Sequence, residues 1–146
     1  MSRPADTVTF FVHGTPKPQG SKRAFVNKAT GRAQVVESSK GVGDWRADVR
    51  AAAMAEWGEK PPTVRPVAVV VHFYLRRPKR HPKTKQTYPT ARPDVDKLLR
   101  AVLDALTGIV FKDDAQVITL TGTKEWDQDE SLTREGAKVT VYEVLP

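Results

Sequence analysis

No cysteine occurs among the 146 residues. That excludes disulfides, cysteine-ligated zinc and a thiol nucleophile. Long apolar runs are missing too. The longest, VAVVVHFYL (Val67–Leu75), is sized for a strand and falls well short of the ~20 residues of a membrane helix. The opening MSRPADTVTFFVHG holds too short an apolar stretch for a secretory signal. With no lipidation motif and no basic amphipathic helix, no membrane partner is expected, and the compartment is read as the cytoplasm. Histidine is scarce: His13, His72 and His81 lack metal-ligand spacing, and His72, among apolar neighbours, reads as a core histidine. Acid is absent where base is densest, because Arg76–Arg92 holds seven of the 24 Lys+Arg, three prolines and no Asp or Glu.

What is present describes one globular domain with a polyanionic partner. The length suits a single core, and 39% hydrophobic with 28% charged residues is an ordinary soluble balance. A net charge of +7 points to nucleic acid. TVTFFVHG (Thr7–Gly14) reads as a strand, and GTPKPQGSKR after it as a loop that can be neither helix nor continuous strand. Ala24–Asn27 and Ala33–Glu37 flank a turn at Lys28–Arg32 as a hairpin. Gly43–Trp57 has Trp45, Val49, Ala52 or Ala53 and Trp57 at helical spacing, so both tryptophans read as core. Val67–Leu75 is apolar throughout and suits a central strand. Asp96–Thr107 reads as a second helix, with Leu98, Leu99, Val102, Leu103 and Leu106 on one side and Gly108 as its stop. QVITLTGTKEW and GAKVTVYEVL alternate as two final strands. The fold class is α+β: a single domain, with a mixed sheet of about four to six strands packed against two main helices.

Two acidic clusters interrupt this basic chain, Asp94-x-Asp96 before the second helix and Asp113-Asp114 after it. Carboxylates so close repel unless something positive lies between them. A helix cap is the plain explanation: Asp94 as N-cap, Asp96 against the helix dipole, Asp113-Asp114 a polar turn. The alternative is a hard cation. Pro93 biases Arg92 towards extended geometry, and continued extension would aim Asp94 and Asp96 the same way. A return strand beginning near Asp113 would then deliver a third carboxylate. Such a set suits Mg²⁺, which takes oxygen ligands from one or two carboxylates together with phosphate and water. The basic loop leads straight into the first cluster, as a phosphodiesterase requires and capping does not predict.

RPDVDKLLRAVLDALTGIVFKDDAQV (Arg92–Val117) resembles the signature of the RusA family of Holliday-junction resolvases: a P-D-x-D start, a helix ending in D-A-L, and D-D-x-Q before a strand. VHGTPKPQGSKR resembles the family's opening strand and loop. The resemblance implies that Asp94, Asp96 and Asp114 bind Mg²⁺ and are catalytic, with Asp113 a neighbouring acid. The family's helix lysine falls on Arg100, and its usual asparagine on Lys97, so Arg100 or Lys97 would supply the positive charge at the phosphate. It further implies a homodimer making paired symmetric nicks in branched DNA, a four-way junction, in a bacterium or a phage's host. Lys17, Lys22, Arg23, Arg76, Arg77, Lys79, Arg80, Lys83, Lys85 and Arg92 would follow the DNA backbone. Tyr88 is a candidate for stacking on a base, and Asp104 reads as a structural partner of Arg100. The competing expectations are a non-catalytic nucleic-acid-binding protein and a nuclease for other branched DNA.

Overall fold

The computed structural model describes residues 3–20, 22–26, 28–37, 41–79, 87–127 and 134–146, with backbone alone for 22–26 and 33–37. Among them run strands β1 (Thr7–His13), β2 (Lys22–Val26) and β3 (Ala33–Glu37), helix α1 (Val42–Trp57), strand β4 (Val67–Leu75), helix α2 (Val95–Leu106), and strands β5 (Val117–Trp126) and β6 (Gly136–Glu143). β2 and β3 form the expected antiparallel hairpin. The other four strands make one mixed sheet in the order β1-β6-β4-β5. β6 runs antiparallel to β1 and β4, whereas β5 runs parallel to β4. β4 is therefore central, as its unbroken apolar composition predicts, and β5 is an edge.

Both helices cover one face of this sheet. α1 buries Val42, Trp45, Val49, Ala53 and Trp57, a stripe at spacings of three and four residues. Glycine at Gly58, in a positive-φ conformation, ends it. α2 buries Leu98, Leu99, Ala101, Val102, Ala105 and Leu106 against the same core. Its close seat on β5 depends on Gly122, where a Cβ would come within 2.6 Å of Leu99 Cδ1. Val8, Phe10, Val12, Val69, Val71, Phe73, Val139 and Val141 supply the sheet's share of the core. No helix among the described residues is long and apolar enough to cross a membrane.

β4, α2 and β5 form one β-α-β crossover, and this fixes the direction of everything near the acidic clusters. α2 starts beyond the carboxyl end of β4 and returns to its amino end, where Phe111 bridges Thr63 and Lys112 N–H donates to the Thr63 carbonyl at 3.3 Å. His72 corrects the expectation of a core histidine. Its neighbours on the strand point into the core, but its own side chain is on the opposite face, 43% exposed, with Nδ1 3.7 Å from Glu125.

The amino end of the sheet is locked by a buried carboxylate. Glu143, 4% exposed, accepts from both Nη atoms of Arg3 at 2.7 and 2.8 Å, from Asp6 N–H at 2.8 Å and from the Thr63 hydroxyl. The Arg3 guanidinium, aided by Thr63 and Asp6, outweighs burial and lowers its pKa to about 2.

Candidate active site

The site grows from the carboxyl ends of β4 and β5. The chain returns over those ends through Tyr88–Asp94, with Pro89 buried and the Arg92–Pro93 peptide cis. Lys124 of β5 fastens this segment, its Nζ donating to the carbonyls of Ala91 at 3.0 Å and Pro93 at 2.9 Å. On the facing wall the loop after β1 docks against α2. Gln19, buried, donates its N–H to the Lys97 carbonyl at 2.9 Å and accepts from Arg46 Nη1 at 2.6 Å. Glu135 joins the two walls, accepting from the Thr15 hydroxyl and lying 3.4 Å from Arg76 Nε.

Between the walls lies an open cleft of about 760 Å³ whose lining includes Lys17, Arg76, Arg92, Asp94 and Lys97. Five of the residues singled out in the sequence thus meet in one place, four of them basic. Tyr88, 63% exposed, and Trp126 also line it. Lys79 is exposed nearby in sequence, and Arg100 is exposed on α2. Arg77 is half-buried, its Nε without a hydrogen-bond partner among the described residues. The side chains of Lys22 and Arg23, and all of Arg80, Lys83, Lys85 and His81, lie outside the described residues.

The acids divide by what holds them. Asp94 is the N-cap of α2 by position, with extended backbone (φ −72°, ψ 138°), yet its side chain makes no capping hydrogen bond. Its carboxylate lies 4.0 Å from Lys97 Nζ, and both side chains are about half exposed. The extension stops there. Val95 already begins the helix, so Asp96 belongs to its first turn, is exposed and does not line the cleft. Asp113 is a true cap. Its Oδ1 accepts from Ala115 N–H at 2.9 Å, and Gln116 Oε1 accepts from Asp113 N–H at 2.8 Å, closing a capping box over the single 3-10 turn Asp114–Gln116. Gln116 Nε2 donates to the carbonyls of Thr63 and Arg65, both at 2.9 Å, and so ties the turn to the amino end of β4. Asp114 follows the cap and is exposed.

The convergence of three carboxylates within one chain is therefore corrected. β5 starts where α2 ends, and parallel pairing with β4 carries it back towards the α2 N-terminus. A rise of about 3.3 Å per residue from Val117 to Lys124 puts the two clusters roughly 20 Å apart, at opposite ends of β5. Among the described residues no three His, Asp or Glu side chains lie close enough to hold a metal together. Sequence reasoning also missed Gln19, Lys124 and Glu135. All three act across the fold, and nothing local marks them.

The family comparison decides the wider identity: residues 14–135 match Endodeoxyribonuclease RusA. The chain belongs to the RusA endodeoxyribonuclease family. The RusA match spans both walls of the cleft, α2 and both acidic clusters, and membership supports a Holliday-junction-resolving endonuclease acting on branched DNA. The chain is also similar to the uncharacterized protein YqaN of Bacillus subtilis (strain 168), 27% identical over 135 residues, covering 85% of this chain and 91% of that one.

Proposed function

We propose that this RusA-family chain is a magnesium-dependent endonuclease that resolves four-way DNA junctions by paired symmetric nicks, as a cytoplasmic homodimer in which each chain completes the other's catalytic site. One observation carries the proposal: Asp94, whose side chain makes no capping bond, and Asp96 sit at one end of edge strand β5, and Asp114 at the other. A two-fold axis pairing β5 antiparallel with its copy sets the start of each strand beside the end of the other. β5 suits such pairing, since an edge strand offers unpaired backbone groups, and Ile118 (60%) and Leu120 (42%) are exposed on it.

The donor set fits the ion: carboxylate oxygens are hard ligands of the kind Mg²⁺ prefers, and the chain has no thiolate to draw softer metals. Asp94 and Asp96 of one chain with Asp114 of its partner would hold it, and when bound it supplies charge neutralisation at the phosphate and a more acidic water. The chain's own residues do the rest. Lys17, Arg76 and Arg92 bind the DNA backbone in the cleft, and Glu135 orients Arg76. Lys97 and Arg100 offset the charge that develops at the scissile phosphate. Arg100 does so as a permanent cation that donates no proton. Asp113 holds the turn that presents Asp114.

Mixing variants on a synthetic four-way junction tests this. Asp96→Asn alone and Asp114→Asn alone are each expected to lose at least about 100-fold in nicking while retaining binding, and EDTA to abolish nicking by the wild type. Equal mixtures of the two variants are expected to regain nicking, because a mixed dimer contains one intact composite site. Mixtures as inactive as the single variants would defeat the shared site. Metal-independent binding with no nicking by the wild type would instead favour a non-catalytic DNA-binding protein, the reading to which the Asp113 cap lends some weight.

A further inference from the structure

The sheet face turned away from the helices carries a second set of nucleic-acid chemistry. Strand register places its side chains in rows. His13, Gly136, Tyr74 and Glu125 form the row nearest the cleft, and Phe11, Lys138, His72 and Thr123 the next. Thr9, Thr140, Val70 and Thr121 follow. The first two rows concentrate the rings. Phe11 and His13 lie 4.7 Å apart between centroids, and Phe11 and Tyr74 6.0 Å. Gly136 makes this possible: a Cβ there would meet the Val12 carbonyl oxygen at 2.0 Å and the Phe11 ring at 2.9 Å. The Phe11 ring therefore lies across the bare glycine position between its neighbours. Lys138 and Arg134, both exposed, border a groove of about 620 Å³ that these rings help to line. At its α1 edge the exposed Glu56 is, among the described residues, the single acid of the lining, against two cations.

We propose that this face is a stacking platform for unpaired bases of a DNA strand whose backbone is held in the adjacent cleft. The proposal rests on the nuclease reading for its substrate, and adds where bases unstacked at a branch point go. Aromatic rings on an open sheet present π-faces to successive bases, and flanking cations hold the phosphates between them. The cleft is one residue away along each strand: Tyr74 precedes Leu75 and Arg76, and Gly136 follows Glu135. Charge favours DNA over a second copy of the chain, since the bordering cations Lys138 and Arg134 would meet themselves across a two-fold axis. Composition agrees, because the row beyond the rings has threonine at three of its four positions, a poor apolar seam. Glu125, the acid in the first row, leans diagonally towards the second, 3.7 Å from His72 Nδ1.

Binding of a fluorescein-labelled oligothymidylate to the full-length protein, in EDTA so that nothing is cut, tests the platform. Phe11→Leu and Tyr74→Leu keep apolar bulk and remove the ring. Each is expected to weaken binding about tenfold, with linear duplex binding unchanged. Tyr142→Ala, on the same face at the far end, is expected to bind as the wild type does. Unchanged oligothymidylate affinity in both ring variants, with wild-type melting temperatures, would overturn the proposal. So would a changed sedimentation coefficient with unchanged affinity, which would assign the face to self-association. Should a ring variant fail to fold, photocrosslinking of an iodouracil-substituted strand to the wild type decides. Adducts on Phe11, His13 or Tyr74 support the platform, and adducts confined to Tyr88 and Trp126 refute it. Junction nicking is scored separately, so loss of one proposal leaves the other standing.

Discussion

The two ends of the sheet use the same side chain for opposite purposes. At the amino end, acid is spent on the protein itself: Glu143 is enclosed by Arg3, Thr63 and the Asp6 N–H, and Asp113 closes a capping box. At the carboxyl end, Asp94 occupies a cap position without capping, beside a cleft whose other charged walls are mostly basic. An aspartate at a helix start is thus not explained by its address. What separates structural from available carboxylates is whether a nearby N–H takes the oxygen, and that depends on side-chain geometry no residue count reveals.

Substitutions that ask each end for the other's behaviour sharpen the contrast. The largest stability effect is expected at Glu143. Its folded pKa is about 2, below the ordinary carboxylate value, so its contribution is fully present above about pH 4.5. That contribution is lost as pH falls towards 2, and amounts to about 3 kcal/mol. Glu143→Gln should lower stability by a similar amount in urea titrations at pH 7 and flatten the acid limb of the stability profile. A variant with the wild-type acid limb would show that the enclosure of Glu143 contributes nothing. Asp113→Ala should cost about 1 kcal/mol, the ordinary loss of a side-chain cap. Asp94→Asn should leave the metal-free melting temperature nearly unchanged, because no capping bond is lost and the half-exposed pairing with Lys97 at 4.0 Å contributes little. A clear fall there would mean that the two clusters do the same job after all.

Much of this was legible in advance. Val67–Leu75 announces a central strand by being apolar at every position, and the Leu98, Leu99, Val102, Leu106 stripe announces α2 within a residue of its ends. The cleft is legible in its parts, since Lys17, Arg76, Arg92, Asp94 and Lys97 stand out in the sequence and do share it. The arrangement of the acids is not. A helix that crosses a sheet reverses the chain once, so the next strand must start at the far end, and Asp113 lies there rather than beside Asp94. His72 failed for a related reason. Alternation matters even within an apolar strand, and one parity of β4 faces the open side. Lys124, Gln19 and Glu135 act only through contacts made across the fold, and a linear pattern holds no trace of those.

The span between the two acidic clusters has a consequence for control. Under the proposed shared site, a chain whose acids stand a sheet's length apart would be disarmed when solitary, and dilution would serve as a safety catch. Well below the dissociation constant of the proposed homodimer, cutting power would then rise with the square of chain concentration.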